Sequence, residues 1–296
     1  MALIYPGYRG FANIAGVGDV RFSDANITAK QEVRAEDLIM GDWDHDAYVY
    51  GKIEVGGSIS GPVTETFVSG SGGGSGLWDW GVVRNGTCGT LTEDTVVLNY
   101  YCGGSENKSR TFGGMLVNSV NFSCSAGDIA QFSLDLMGKS AGAWSTTDPA
   151  LITTAEKLIT WDKVLVSVPG SSSGPGSSAL EPASINYSNF DFTISNNLEP
   201  VYSLAQADLF PVEIVPGLRS ISGTLSVYNI PQADGVETWD SYLAADLSQI
   251  DFDIGGLTIS MFVQFHRIEP SSRTGPIVST VGFTGVGHQT GVEWVA

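Results

Sequence analysis

Apolar and polar residues alternate along most of this chain with the two-residue period of a half-buried β-strand. Eight segments show the pattern most clearly and are predicted to be strands: residues 52–55, 119–125, 130–137, 163–168, 190–195, 222–228, 250–254 and 258–265. The second and third of these are joined by Ser125-Ala126-Gly127-Asp128, a sequence typical of a hairpin turn. The chain is therefore predicted to be all-β.

Helical periodicity is best developed in residues 235–247, where five apolar residues share one face and Asp234 can cap the first turn. Two Gly/Ser-rich stretches, residues 69–76 and 167–178, are predicted to be extended or turn-rich rather than packed. Helix therefore makes a small contribution to the predicted fold.

The order of the strand-like blocks repeats within the chain. Residues 22–61 and 187–223 each contain an alternating strand, a spacer and a second strand that reaches Ile-Ser-Gly, and residues 113–139 resemble 255–285. The repeat is too long for a solenoid, whose period is about 20–50 residues. We predict two similar β-sandwich or half-barrel domains in tandem, each with at most a short helix. Residues 1–158 form the first, with a projecting Gly-rich insertion at about 63–110, and residues 159–296 form the second.

Composition predicts that protein covers part of the surface. Charged residues make up 16% of the chain, against about 25% in an average globular protein, while hydrophobic residues make up 42%. No apolar run approaches the roughly 18 residues of a membrane span, and the first residues lack the pattern of a signal peptide. We therefore expect self-association and no membrane partner.

The formal net charge of −18 argues against a protein that grips nucleic acid, because such proteins need a basic surface. An acidic wall would instead let a polyanion pass without holding it. The alternative explanation is that the acidic residues only keep an apolar protein soluble.

The sequence signals for catalytic and metal-binding residues are weak. Asp42, Asp44, Asp46 and His45 form the densest cluster, which could be a metal loop or, alternatively, a solvated acidic edge. Cys88, Cys102 and Cys124 form no Cys-x-x-Cys pair and are expected to be reduced thiols. No Gly-x-Ser-x-Gly elbow and no Ser-His-Asp order is compelling, and the Gly/Ser run at 69–76 is not followed by the Gly-Lys-Ser/Thr of a phosphate-binding loop. We predict no enzyme activity, no cofactor and no metal site.

Two blocks of the sequence resemble bacteriophage tail tube proteins. Residues 112–140, FGGMLVNSVNFSCSAGDIAQFSLDLMGKS, resemble the segment of that family in which two strands flank a Gly-containing turn and end in a Gly-Lys-Ser tail. Residues 194–229 are similar to the family's Asn-Asn-Leu-Glu, spacer and Pro-Gly-x-Arg sequence ahead of Ser-Gly-Thr. The resemblance covers about half of the chain.

This resemblance implies a structural virion protein whose rings stack into a hollow tail tube, the conduit for DNA ejection. Single-domain members form hexameric rings, so a duplicated member is expected to form a trimeric ring with pseudo-sixfold symmetry. The implied partners are further copies of this chain, other tail proteins at the tube ends, and genomic DNA that passes without specific binding. The implied location is the virion tail, after assembly in the cytoplasm of the bacterial host.

Acidic residues on the polar faces of the barrel strands are the candidates to line the lumen: Glu54, Asp135, Asp191 and Glu213. The alternative for each is an outward, solvated face. Two other functions stay open at this point. One is another phage structural role, in capsid decoration or a baseplate, and the other is a carbohydrate-binding β-sandwich that uses tryptophans such as Trp78 and Trp80 as stacking platforms.

Overall fold

The predicted β-character is confirmed, since strands dominate the described part of the protein. The computed structural model describes residues 10–36, 47–65, 68, 76–82, 84–85, 90–100, 108–146, 157–167, 187–204, 209–228, 248–270 and 278–285. All eight predicted strands lie in or overlap observed strands. The predicted helix at 235–247, the Asp42 cluster, Cys88 and Cys102 lie outside the described residues.

The strands are numbered in chain order. They are β1 Gly10–Ile14, β2 Gly18–Arg21, β3 Asp24–Glu36, β4 Ala47–Pro62, β5 Arg84–Asn85, β6 Thr90–Leu91, β7 Asp94–Tyr100, β8 Lys108–Ser125, β9 Gln131–Gly138, β10 Ser140–Ala141, β11 Val164–Ser167, β12 Tyr187–Ser195, β13 Leu198–Val201, β14 Glu213–Pro216, β15 Ser220–Tyr228, β16 Ser248–Ile254, β17 Leu257–Pro270 and β18 Val278–Gly285. A short helix, α1, spans Gly76–Gly81, and a 3₁₀ turn spans Trp161–Lys163.

Eight strands of the large antiparallel sheet form a continuous layer in the order β3, β4, β9, β8, β12, β15, β18, β17. We call this the eight-stranded layer. The long strands β8 and β17 extend beyond it, and their N-terminal parts pair with β7 and β16 respectively. Strands β1 and β2 continue from β7, and β11 continues from β16.

The strand order of the layer occurs twice. We call β3, β4, β8 and β9 the first unit, and β12, β15, β17 and β18 the second unit. In each unit the first two strands pair with each other, the last two pair with each other, and the second strand pairs with the fourth. Strands β8 and β12 join the units.

Both units also carry a register shift at the same place. The shift lies between Val117 and Ser119 in β8, and between Phe265 and Arg267 in β17. Asn118 is therefore the bulged residue of the β8–β9 pair, and His266 is the bulged residue of the β17–β18 pair. The two residues occupy equivalent positions. This correspondence fixes how the two units align, residue by residue.

The alignment corrects one detail of the repeat inferred from sequence. Ile59 stands opposite Leu134 in the first unit, and Leu225 stands opposite Val281 at the corresponding place in the second. Ile221, which begins the second Ile-Ser-Gly, therefore corresponds to Val55 and not to Ile59. The two Ile-Ser-Gly tripeptides therefore do not mark equivalent positions, and their match follows from the high frequency of Ser and Gly in this chain.

The β8–β9 hairpin forms where the sequence predicts it. Gly127 has a φ of 90°, a conformation that glycine adopts without steric cost, and the Asp128 amide donates to the Ser125 carbonyl at 3.0 Å. The tight turn keeps the alternation of both strands in phase. Phe122 therefore pairs directly with Phe132 on the buried face.

One face of the eight-stranded layer is buried, and its core crosses the boundary between the units. The rings of Phe122 in β8 and Phe192 in β12 lie 5.6 Å apart, and Phe192 lies 4.6 Å from Phe252 of β16. Strand β16 thus packs on this face, and buried residues of β1 and β7 belong to the same apolar cluster. The two units share a continuous core.

Described residues of the segment predicted to be a projecting insertion are built into this core. Val96 and Leu98 of β7 are 0% and 1% exposed, since β7 lies between β1 and β8. Trp80 in α1 is also buried, and its indole N–H donates to the Met115 carbonyl at 3.2 Å. These parts of residues 63–110 do not project, because their apolar side chains fill the sandwich.

The segment around the predicted domain boundary is also packed. Ile159 is fully buried, its amide donates to the Val63 carbonyl, and its carbonyl accepts from the Ala130 amide, each at 2.9 Å. The Gly255 amide, at the β16–β17 turn, donates to the Lys163 carbonyl at 3.0 Å. Residues 159–163 therefore connect the first unit to the second.

Candidate polar face and free strand edges

The face of the eight-stranded layer that points away from the core is lined with short polar side chains. Residues paired across neighbouring strands lie on the same side of a sheet, so the registers define continuous rows. One row contains Ser58, Asp135, Ser119, Ser195 and Ser220. The next contains Ser60, Ser133, Asn121, Thr193, Ser222 and Thr284. We call this surface the polar face.

Asp135 and Asp191 both lie on the polar face, and each is held by a neutral amide. Asn118 donates through its side-chain nitrogen to Asp135 Oδ2 at 2.7 Å, and Asn121 donates to Asp191 Oδ2 at 3.2 Å. The Asn121 amide also donates to Thr193 Oγ1 at 2.9 Å. These hydrogen bonds orient the carboxylates without neutralising their charge.

Glu54 lies on the same face but near the β3 side of the layer, where it meets a cation. Its carboxylate is 2.5 Å from Lys52 Nζ, and this hydrogen bond raises the pKa of Lys52. The Lys52 ammonium also lies 5.5 Å from the centre of the Tyr202 ring. Glu54 therefore contributes less net negative charge to the face than Asp135 or Asp191.

Glu213 lies outside the eight-stranded layer. It begins β14, which pairs with β13 as a separate two-stranded ribbon, and it is exposed opposite Val201. The other side of the ribbon packs on the layer, because Leu198 and Ile214 cluster with Leu116 and Met137. The structure thus places three of the four predicted acidic residues on one sheet face and the fourth on the ribbon that covers its end.

A cleft of about 550 Å³ lies between the ribbon and the polar face, with Lys30, Lys52, Glu54, Asp135 and Tyr202 among its lining residues. The Tyr202 hydroxyl donates to the Ile53 carbonyl at 3.3 Å. The described residues that line the cleft carry both signs of charge. Among the described residues, no group of three or more His, Cys, Asp and Glu could hold a metal ion.

The layer ends in two strand edges that have no partner among the described residues. Among the described strands, β3 pairs with β4 on one side only. At the opposite end, β17 pairs with β16 as far as Val263, and the described residues beyond that point pair with β18 alone. Exposed edges of this length offer free backbone N–H and C=O groups to another strand. We call them the β3 edge and the β17 edge.

The layer, its polar face and its two open edges agree with the family that the chain matches. The family described as phage tail tube protein matches residues 6–285, which is nearly the whole chain. The chain belongs to the phage tail tube protein family. It is a structural component of a phage tail, and so of the virion. No curated protein matches the chain.

Two further observations bear on how this tail tube protein could function. No helix among the described residues is long and apolar enough to cross a membrane. Trp80 is only 3% exposed and its N–H is satisfied, so it cannot stack on a sugar as the carbohydrate-binding alternative requires. The side chain of Trp78 lies outside the described residues.

The β13–β14 ribbon was not predicted from the sequence, where its residues were part of an extended spacer. Each of its strands has only four residues and contains a proline, which weakens a strand signal. A usable signal was present in Glu213-Ile214-Val215, where Ile214 is buried and its neighbours are exposed. The ribbon carries Glu213 on its exposed side.

Proposed function

We propose that this protein is the main subunit of the tail tube, and that three copies close into a ring with pseudo-sixfold symmetry. Rings then stack into a hollow conduit through which DNA is ejected, with other tail proteins at the ends of the tube. In this proposal residues 1–158 and 159–296 are tandem tube domains, each of which contributes one four-stranded unit. Assembly takes place in the cytoplasm of the bacterial host.

The observation that carries this proposal is the internal seam between β8 and β12. In the order of the layer, that seam joins the last strand of the first unit, β8, to the first strand of the second unit, β12. Strands β17 and β3 are the corresponding strands at the two ends of the eight-stranded layer. If they pair between copies as β8 and β12 pair within one, every unit has the same two neighbours and the ring closes with no free edge.

The width of such a ring suits DNA. Three chains of eight strands give 24 strands in one barrel. With strands about 4.8 Å apart and tilted by about 40°, the barrel is about 48 Å across at the backbone. Side chains on the inner surface reduce this width but leave room for a DNA duplex.

The polar face is the surface that we propose lines the conduit. Its Ser, Thr and Asn side chains are short and neutral, and Asp135 and Asp191 add negative charge. Glu54 lies on the same face, and Glu213 faces the bore from the outer side of the β13–β14 ribbon. Such a wall repels phosphates and leaves DNA free to slide.

Electron microscopy of the concentrated, purified protein, together with the mass of its particles by light scattering, tests this function. We expect hollow rings or tubes with a pseudo-sixfold outline and a mass of three chains per ring. Rings of six whole chains would keep the tube but exclude the trimer. Solid or unclosed particles at every concentration and salt would point to a decoration or baseplate role, and glycan binding by such particles would point to the carbohydrate-binding alternative.

A further inference from the structure

We propose that the seam between neighbouring copies repeats the β8–β12 seam residue by residue. In this arrangement residues 267–270 of β17 pair antiparallel with residues 27–30 of β3 in the next copy, with Glu269 opposite Thr28. The inference rests on the proposed ring, and it adds the register and the chemistry of the contact. The occupant of each free edge is therefore a second copy of this chain.

The first half of the register comes from the shared bulge. Asn118 in β8 and His266 in β17 are equivalent, because each lies at the register shift of its pair. Counting from the bulge, Asn121 corresponds to Glu269. Both stand opposite a residue of the adjoining hairpin strand at the same distance from the shift, Ser133 for Asn121 and Thr280 for Glu269.

The second half comes from the hairpins that begin each unit. Gly57 stands opposite Ile27 and Leu136, and Gly223 stands opposite Phe192 and Phe283. Ile27 in β3 therefore corresponds to Phe192 in β12. Asn26 then corresponds to Asp191, and Thr28 corresponds to Thr193.

Combining the two halves converts each pair of the internal seam into a pair between copies. Within the chain the pairs are Ser119 with Ser195, Val120 with Ile194, Asn121 with Thr193, and Phe122 with Phe192. Between copies they become Arg267 with Lys30, Ile268 with Ala29, Glu269 with Thr28, and Pro270 with Ile27. Pro270 is the last described residue of β17, and it has no amide hydrogen to donate across the seam.

The residue types on the polar side of the seam are complementary. Within the chain, the Asn121 amide donates to the Asp191 carboxylate and to the Thr193 hydroxyl. At the equivalent positions between copies the chain has Glu269, Asn26 and Thr28. Within the chain the amide residue is in β8 and the carboxyl residue is in β12. Between copies the carboxyl residue, Glu269, is in β17 and the amide residue, Asn26, is in β3. The seam between copies therefore again joins one carboxyl residue to one amide residue. Two carboxylates at these positions would repel each other, and two amides would lack the charge-assisted bond.

The remaining pairs agree with an edge that is buried on assembly. Ile268 opposite Ala29 and Pro270 opposite Ile27 are apolar, like Val120 opposite Ile194 and Phe122 opposite Phe192. Arg267 opposite Lys30 is a pair of like charges, which is unfavourable. Lys30 stands opposite Glu54 in the β3–β4 register, and that carboxylate offsets part of the repulsion.

Cysteine cross-linking of the full chain tests the register. Directly opposite residues on neighbouring strands have Cα atoms about 4.5–5.5 Å apart, a separation that a disulfide can span. The double variant Thr28→Cys, Glu269→Cys is oxidised after assembly and run without reductant. We expect most of the protein to shift to covalent species of two and three chains, with nothing larger. The control Thr28→Cys, Ile268→Cys adds the same number of thiols on opposite sheet faces and is expected to stay monomeric on the gel.

A charge exchange tests the chemistry without any thiol. Asn26→Asp places two carboxyl residues at the seam and is expected to raise the protein concentration for half-maximal ring formation by up to about fivefold per seam. Adding Glu269→Asn, which restores one carboxyl and one amide residue, is expected to recover ring formation. A mere folding defect in Asn26→Asp would not be reversed by a change on the other edge.

The outcomes separate this inference from the proposed function. Three-chain rings seen by microscopy, with equal cross-linking of both cysteine pairs or with neither pair cross-linked, would overturn the register and leave the tube in place. Absence of closed rings for the unmodified protein would overturn both. Three-chain rings with cross-linking confined to residues 28 and 269, and with rescue by Glu269→Asn, support both.

Discussion

Gly57 and Gly223 occupy the same position in the two units, and each lies against the backbone of the strand that precedes it. A Cβ on Gly57 would collide with the carbonyl oxygen of Asn26, and a Cβ on Gly223 would lie 2.6 Å from the carbonyl oxygen of Asp191. Asn26 and Asp191 are themselves equivalent residues. The same close approach of two strands therefore occurs once in each unit, which ties the sequence repeat to a packing requirement.

Alanine at either of these glycines is expected to destabilise the fold. The added methyl group forces the strands apart, and Gly57 also has a φ of 149°, which L-residues rarely adopt. We expect each variant to lose about 1–3 kcal/mol of unfolding free energy in urea denaturation. Gly142→Ala is the matched control, since its Cβ would make only ordinary contacts, the nearest at 3.4 Å. Equal stability of all three variants would contradict the packing argument.

Phe252 is expected to be one of the most sensitive core positions. It is 0% exposed, and its ring lies 4.6 Å from that of Phe192 and 5.2 Å from that of Phe190. Phe252→Ala should cost about 3–5 kcal/mol, measured by denaturant unfolding, because the cavity opens between β16 and the eight-stranded layer. Leu165→Ala on the neighbouring strand β11 should cost little, since Leu165 is 65% exposed. A small effect at Phe252 would mean that β16 does not pack on this layer in solution.

Asn196 joins three separate parts of the fold through one buried side chain. Its amide donates to the carbonyls of Gly81 and Val117, each at 2.9 Å, and its oxygen accepts from Arg219 Nε at 3.2 Å. Asn196→Ala leaves these groups without their partner, and we expect a loss of about 1–3 kcal/mol by thermal or urea unfolding. Asn189→Ala, at an exposed position of β12, is the control and should be close to neutral. Equal losses of unfolding free energy in the two variants would contradict a stabilising role for the hydrogen bonds of Asn196.

Glu65 is expected to make stability depend on pH in the acid range. Its carboxylate lies 3.1 Å from Lys163 Nζ and 3.6 Å from Lys157 Nζ, and the hydrogen bond from Lys163 holds the pKa of Glu65 below its usual value of 4.5. A depressed pKa in the folded state adds stability above pH 4.5, and this contribution is lost as the pH falls through the lower folded value.

The difference in unfolding free energy between the unmodified protein and Glu65→Gln should therefore be present at pH 7 and shrink below about pH 4.5. Glu199→Gln, an exposed change on the ribbon, serves as the control for general charge effects. A difference that stays constant from pH 7 to pH 3 would show that the ion pairs around Glu65 make no contribution.

Strands could be predicted from sequence because their signal is local. Phe132, Leu134 and Leu136 alternate with Gln131, Ser133 and Asp135, and the structure buries the first set and leaves the second on the polar face. Partner choice is not local. Asn121 and Asp191 are 70 positions apart, and no periodicity within either strand indicates that β8 lies next to β12.

Prediction from the sequence was limited in two other places. The two Ile-Ser-Gly tripeptides matched by chance in a chain rich in Ser and Gly, and only the strand registers show that Ile59 corresponds to Leu225. The strand Asp94–Tyr100 was also missed, because its apolar residues Val96, Val97 and Leu98 run consecutively and do not alternate with polar ones. Sequence predicted which residues form strands, and tertiary contacts decided where those strands pair.

A strand-resolved cryo-EM reconstruction of the assembled tube would test the central claim most directly. The account predicts three chains per ring, a continuous barrel of 24 strands, and Asp135 and Asp191 on its inner wall. A ring of six whole chains, a barrel interrupted between β17 and β3, or a polar face turned to the outside of the tube would contradict it.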